Sequence, residues 1–376
     1  MHPSSLLSYY PNYYILDEIV SKKNYKEVNI FIDLKNCLQT VYMEHAIKNI
    51  VENTKKSTFK DSSIFSSVLS FLSFHKIYSI KRNVKIRFYI FLESGQSYYH
   101  TNISKTYKIS RRIDNLYGLD RIDRDLFYEV LNSNFGLIEK VFNRVPFVKV
   151  IRLMNLEADF VPYYLISRNL IPQNEESVNI IYSNDHDLLQ CINERCLVFF
   201  KSAKNKKIVK QNEVVEQTFK CNNIVPDEYL PLMMAVVGDE GDDVKGIKGI
   251  GAKTFSKNFT ELVSLTGKMD TLYDNIERKN PIFNVGNLNN MNKYMTSVIE
   301  NEKLISDNLK LVSFELISRA LDNPTNTEMV EKKKQIIKIL ENNEIVDYVL
   351  IEKVLERLGV YLLSDELNNL YFGFKK

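Results

Sequence analysis

Apolar positions along the chain follow two rhythms. Up to about residue 209, short runs rich in β-branched and aromatic residues alternate with longer stretches of helical spacing; beyond residue 257 the spacing is helical throughout. The runs at 28–34 (VNIFIDL), 84–92 (VKIRFYIFL), 147–153 and 177–182 read as buried strands. Helix-like spacing covers 36–56, 61–80, 123–145 and a stretch that starts near Glu157 and runs to about 169. Residues 183–187 open a further helix, and 196–209 read as a hairpin with its tip at 203–207. Strands alternating with helices predict an α/β fold, a mainly parallel central sheet flanked by helices.

In such sheets a ligand site lies beyond the carboxyl ends of the strands. Asp33, Glu93, Glu157, Asp159, Asp185 and Asp187 all fall at or just after those ends. Taken singly, Asp33 and Asp185 read as helix N-caps, and Glu157 and Asp159 as acids favoured by a helix dipole. Taken together with Asp239 and Asp242, they would repel one another in a cleft unless protons or cations offset the charge. All-oxygen ligands point to Mg²⁺ or Mn²⁺ rather than zinc, and so many acids point to two or more ions. Two such ions are a recurrent solution for phosphodiester hydrolysis.

Immediately after Asp242 comes a glycine-rich turn, Gly246, Gly249 and Gly251, followed by Lys253 and Thr254. It is not a P-loop, because Ala252 separates Gly251 from Lys253, and it lacks the ligand spacing of an EF-hand. Two readings stand: a generic helix–turn–helix joint, or a hairpin whose amides, with Lys245, Lys248 and Lys253, grip a duplex phosphate backbone without reading sequence. Residues 94–121 lack a long apolar face and carry Lys105, Lys108, Arg111, Arg112 and Arg121 among Tyr98, Tyr99 and Tyr107. That is a solvated face or, on a helix, a surface where Lys108 lies beside Arg111 and Arg112 and stabilises a scissile phosphate. The five lysines within 201–210 read as a solvated hairpin tip, and His186 receives no chemical role.

Composition adds little. The chain has 376 residues, 44% hydrophobic and 26% charged, with a net charge of +3 that decides nothing about partners. Cysteines 37, 191, 196 and 221 form no zinc spacing and read as reduced thiols of a cytoplasmic protein. The apolar stretch 64–74 is too short to span a bilayer, and residues 1–27 lack the pattern of a signal peptide.

The ordered set of motifs resembles the 5′-nuclease (flap endonuclease) family, which includes phage 5′-exonucleases, phage RNase H and the 5′-nuclease domain of bacterial DNA polymerase I. It covers Asp33 to about Thr254 and, more weakly, 301–314. Asp33 matches the family's first-strand Asp, and Glu93 stands where an Asp is usual. Glu157-Ala158-Asp159-Phe160 matches a motif that ordinarily has an acid in place of Phe160. Ser183-Asn184-Asp185-His186-Asp187 matches the next motif. Residues 238–253 match the last, with Asp243 in place of the usual Asn, and Tyr107, Lys108 and Arg111 match the arch signature. The resemblance implies Asp33, Glu93, Glu157, Asp159 and Asp185 at a first metal region, and Asp187, Asp239 and Asp242 at a second. It implies Lys108 and Arg111 on the scissile phosphate, with Arg112 nearby on DNA, and Tyr107 stacked on an unpaired base. It also implies a helix–hairpin–helix, with Gly246, Lys248, Gly249, Gly251, Lys253 and Thr254 on the duplex and a K⁺ ion bridging hairpin and phosphate. A helical arch would thread a single-stranded 5′ end.

The expected organisation is an N-terminal extension (1–27), a nuclease core (28–225) with the arch at about 94–124, a helix–hairpin–helix region (226–315) and a C-terminal helical extension (316–376). The expected activity is metal-dependent, structure-selective 5′-nuclease cleavage near single-strand/duplex junctions, on DNA with a 5′ flap or 5′ end or on RNA/DNA hybrid. Replication proteins are further partners of such an activity, and a membrane is not. Three rivals differ in what they predict. A catalytically impaired nucleic-acid-binding protein, motivated by Glu93 and Phe160, binds flaps without turnover. A PIN-like ribonuclease cleaves RNA alone and needs no hairpin at 246–253. A structural role in a larger assembly would draw on residues 1–27 and the C-terminal tail.

Overall fold

The computed structural model describes residues 13–38, 61–108, 121–201, 206–211, 213–220, 225–284 and 292–342, together with Lys353 and Glu356. The expected helix at 36–56 beyond residue 38, the arch beyond Lys108, the tip at 203–205 and most of the tail lie outside the described residues.

Six strands form one sheet: β1 (Glu27–Asp33), β2 (Lys85–Ser94), β3 (Val148–Met154), β4 (Ser177–Tyr182), β5 (Cys196–Lys201) and β6 (Lys206–Val209), in the order β3-β2-β1-β4-β5-β6. All neighbours are parallel except β5 and β6, which form the expected hairpin. The strands sit where the apolar runs predict, to within about two residues at their ends. Pleating alone separates two cores, because successive side chains point to opposite faces. Val28, Ile30 and Ile32 belong to one core, with Ile86, Phe88, Ile90, Val178 and Ile180. Phe31 belongs to the other, with Tyr89, Phe91, Ile151 and Ile181.

The first core is closed by α1 (Tyr13–Lys22), α2 (Asp61–Arg82) and α4 (Arg121–Phe142), while α3 (Tyr98–Ile103) follows β2 on the way to the site. Leu16 and Val20 of α1 are buried there, so the part of the N-terminal stretch that is described packs as core. The opposite core is covered by α5 (Val161–Ser167), α6 (Val214–Phe219), α7 (Leu230–Val237) and the helices that follow: α8 (Ala252–Lys257), α9 (Phe259–Thr266), α10 (Met269–Arg278), α11 (Lys293–Glu300), α12 (Glu302–Val312), α13 (Phe314–Asp322) and α14 (Thr327–Glu341). Between α7 and α8 lies a miniature hairpin, β7 (Gly238–Asp239) and β8 (Val244–Lys245). Among the described residues no helix is long and apolar enough to cross a membrane.

Two local readings change. The helix expected to start near Glu157 begins at Val161, with Pro162 in its first turn, so Glu157 and Asp159 stand in the loop before it and not in the helix. After β4 the chain forms only a five-residue 3₁₀ turn, Asp187–Cys191.

Candidate metal centre

The parallel register brings the acids to one edge. Ile32 pairs with Tyr182, which sets Asp33, the last residue of β1, level with Ser183 just past β4. The Ser183 hydroxyl donates to Asp33 Oδ2 at 3.0 Å and accepts from the Asp185 amide at 3.0 Å. Asp185 Oδ1 in turn accepts from the Asp187 amide at 3.0 Å. A short polar relay thus ties the ends of β1 and β4 together. Asn36 fastens both sides, donating its amide to Asp33 Oδ1 and accepting the Asn184 amide on its side-chain oxygen, each at 3.0 Å.

The second group comes from the β7–β8 hairpin. Asp239 caps the 3₁₀ turn Glu240–Asp242 by accepting the Gly241 amide at 2.9 Å. That turn carries Asp242 inward, where it is buried. One carboxylate oxygen from each of Asp187, Asp239 and Asp242 lies within 4.8 Å of the others. The cost of this crowding shows in Asp187: burial first, then Asp185, Asp242, Asp159 and Asp239, push its carboxyl well above the usual carboxylate range. Asp243 follows at φ 58, a left-handed position that suits Asn or Asp, which accounts for that motif residue without a ligand role.

Glu157 closes the cluster through two residues that follow α3, Tyr107 and Lys108. The Tyr107 hydroxyl lies 3.0 Å from Glu157 Oε2 and 2.9 Å from Asp242 Oδ2. Lys108 Nζ lies 2.7 Å from Glu157 Oε1 and 3.0 Å from Asp242 Oδ2. Burial raises the Glu157 carboxyl, but the Lys108 ammonium, His100 and hydrogen bonds from Lys108 and Tyr107 together outweigh it, and the group is held well below the usual range. Burial, with Glu157 and Asp242 next, keeps the Tyr107 phenol protonated far above its ordinary value.

The donor set suits a hard divalent cation. Every ligand is a carboxylate oxygen, the oxygens converge, and the repulsion registered by Asp187 is what a bound cation relieves. Asp159 enters through its influence on Asp187 and Tyr107. Glu93 stands one residue before the end of β2, with its backbone paired to Leu153; its side chain lies outside the described residues. Phe160, at the motif's usual acid position, is fully buried in the apolar core.

The glycine-rich turn sits next door. Gly246 admits the Val237 carbonyl so closely that a Cβ there would meet it at 1.9 Å, which locks the hairpin onto α7. Beyond it, Gly249 has φ +83, and neither it nor Gly251 has a heavy atom within 4 Å of an added Cβ. Their backbone therefore faces open space, flanked by exposed Lys248 and Lys253, with Thr254 half-buried in α8.

Sequence similarity is local. No family model matches the chain. A 97-residue stretch is 38% identical to DNA polymerase I of Borreliella burgdorferi, covering 26% of this chain and 10% of that protein. A 107-residue stretch is 34% identical to a 5′-3′ exonuclease of Aquifex aeolicus, covering 28% of this chain and 34% of that one. The chain thus spans at most about a third of the length of these relatives. The bacteriophage T5 flap endonuclease superposes over 84% of this chain and 100% of its own, with a TM-score of 0.56 at 18% identity. The chain shares the fold of this T5 protein.

Within this fold two expectations, for Lys108 and Tyr107, change. Lys108 sits in a turn at φ 53 and not in a helix, its amide bonded to the Asp242 carbonyl at 3.0 Å and its side chain reaching the acids. Arg111 and Arg112 lie outside the described residues. Tyr107 is buried, stacked on His100 at 4.6 Å and 10°, so its ring is not presented to a base. Sequence reasoning missed His100 and Asn308. His100 is fixed by Ser97 Oγ at 2.6 Å from Nδ1, and no spacing marks it. Asn308 donates to the Ala235 and Lys245 carbonyls at 2.8 and 2.9 Å, tying α12 to the hairpin; its signal is an amide on the apolar face of a helix.

Proposed function

We propose that the chain is a divalent-metal-dependent, structure-selective 5′-nuclease that hydrolyses phosphodiesters near single-strand/duplex junctions. The observation that carries this reading is the convergence of Asp187, Asp239 and Asp242 within 4.8 Å, directly before a glycine turn open to solvent. The sequence relatives are named 5′-3′ exonuclease and DNA polymerase I, and the T5 neighbour is described in complex with DNA and metal ions.

In this reading Asp187, Asp239 and Asp242, with Asp185, Glu157, Asp159, Asp33 and Glu93, hold two or more Mg²⁺ or Mn²⁺ ions. Bound ions of this kind supply activation of water and charge neutralisation at the phosphate. The chain's own residues do the rest. The Ser183 relay fixes the strand-end carboxylates so that they do not reorganise during reaction. Lys108 and Arg111 offer positive charge to the scissile phosphate, with Arg112 nearby. The amides of 249–251, with Gly246, Lys248, Lys253 and Thr254, hold the duplex backbone, with K⁺ at the turn. Because Asn308 ties this hairpin to α12 and Asp239 and Asp242 lie in it, the distance from duplex grip to cutting site is fixed. The buried thiols of Cys191 and Cys196 suit a reducing compartment, and we place the activity in the cytoplasm.

The test is cleavage of a labelled 5′-flap DNA and an RNA/DNA hybrid with and without Mg²⁺ or Mn²⁺. Metal-dependent cuts near the junction that Asp185→Asn abolishes are expected. Cleavage independent of metal, or equal cleavage by Asp185→Asn, would overturn the reading.

A further inference from the structure

Lys108 and Tyr107 occupy the acid cluster in a way the cleavage reading leaves unexplained. The Lys108 ammonium lies within 3.0 Å of both Glu157 and Asp242, carboxylates that come from a strand-end loop and from the hairpin. The Tyr107 hydroxyl meets the same two carboxylates. The Lys108 amide completes the attachment on the Asp242 carbonyl. A group bound this way cannot also reach a phosphate outside the cluster, nor share its carboxylate oxygens fully with a divalent ion. Two cations on one set of oxygens compete.

We infer that Tyr107 and Lys108 form a latch in which the lysine ammonium serves as the resident counter-cation of Glu157 and Asp242, and that divalent-ion binding displaces it and frees Lys108 toward substrate. The left-handed turn at Lys108 lies beyond the end of α3, which stays anchored: Ser97 caps it, and His100 of α3 holds the Tyr107 ring. The moving part is therefore limited to the end of the turn. The inference rests on the metal-site reading above, but not on cleavage. It makes ion binding a precondition for presenting Lys108, so the enzyme does not commit its phosphate-binding lysine before the ions are in place.

Two measurements on the full chain test it. The first is calorimetric titration of Mn²⁺ into the wild type, Lys108→Met, Tyr107→Phe and, as a charge control, exposed Lys105→Met. Direct competition predicts at least tenfold tighter Mn²⁺ binding by Lys108→Met, a smaller tightening by Tyr107→Phe, and less than a twofold change for Lys105→Met. The second is hydrogen exchange of the wild type, which needs no substitution: the Lys108 amide should exchange at least tenfold faster with saturating Mn²⁺. Equal or weaker Mn²⁺ binding by Lys108→Met, or a Lys108 amide that stays protected in Mn²⁺, overturns the latch. If the wild type and Lys108→Met bind Mn²⁺ equally, the latch alone falls; if neither binds, the metal-site reading falls with it.

Discussion

Two clusters of charge in this molecule have opposite electrostatics. At the helical side, Arg168 pairs with Glu315 and Asp322 at 2.9 and 2.8 Å, Arg319 pairs with Glu315 and Asp274 at 2.8 and 2.6 Å, and Lys333 reaches Asp322 at 2.7 Å. There each acid meets a base. The Arg319 hydrogen bond holds Asp274 below its ordinary value; at Asp322 burial pulls upward, but bonds from Lys333 and Arg168 prevail. At the sheet edge, burial and four neighbouring acids push Asp187 the other way. The first cluster gains stability from its charges in the protein as it stands. In the second, Lys108 offsets Glu157 and Asp242 while Asp187 keeps a repulsion that a divalent cation would relieve, a pattern common at functional sites.

The sharpest way to break this contrast is to remove one charge from each cluster and measure cleavage. Asp242→Asn should slow 5′-flap cleavage by about 10³-fold, roughly 4 kcal/mol of barrier, whereas Glu315→Gln should leave the cleavage rate of folded protein unchanged. Equal losses would erase the distinction.

A pH scan of stability comes next, and its background is set by a third group. His75 is buried with Nε2 at 2.9 Å from the Tyr182 hydroxyl, and burial pushes it down to about 4. Its folded value is below its unfolded one, so the unfolded chain binds the extra proton. Stability should therefore fall as pH drops from about 6.5 to about 4, by up to about 3 kcal/mol. Denaturant titrations across that range check it, and His75→Gln should flatten the slope.

Arg319→Ala should cost about 2 kcal/mol, between the values for exposed and buried ion pairs. Asp187→Asn should do the reverse, stabilising the ion-free protein by about 1 kcal/mol as repulsion is relieved. Acid acts on the two clusters with opposite signs. Asp187, raised in the fold, gains stability as pH falls through its folded value. Asp322, depressed, loses its contribution as pH falls below the ordinary value of 3.8. Comparing melts of wild type and Asp187→Asn isolates the first effect, since His75 contributes equally to both.

Much of this contrast was legible in the sequence. The apolar runs locate the sheet because a strand buried on both faces needs little else to specify it. The acids at strand ends are readable because parallel strands all finish on one side. The helix start after Glu157 was missed because an acid before Pro162 fits a first turn or the loop before it equally well. What spacing could not show are contacts made across the fold: Tyr107 and Lys108 reach Asp242 from 135 and 134 positions away. The resemblance singles out these two residues, yet only tertiary packing reveals that they face the acids. Asn308 and His100 were hidden for the same reason, since their partners lie on other elements.

The central claim is that the sheet-edge acids form a divalent-cation site. Thermal melting with and without Mg²⁺ tests it most directly. Saturating Mg²⁺ should raise the wild-type Tm by about 5 °C, from the linkage of ion binding to the folded state. Asp187→Asn should melt higher than wild type without Mg²⁺ and respond to it little. A wild type indifferent to Mg²⁺, or an Asp187→Asn variant that gains as much from it, would contradict the account.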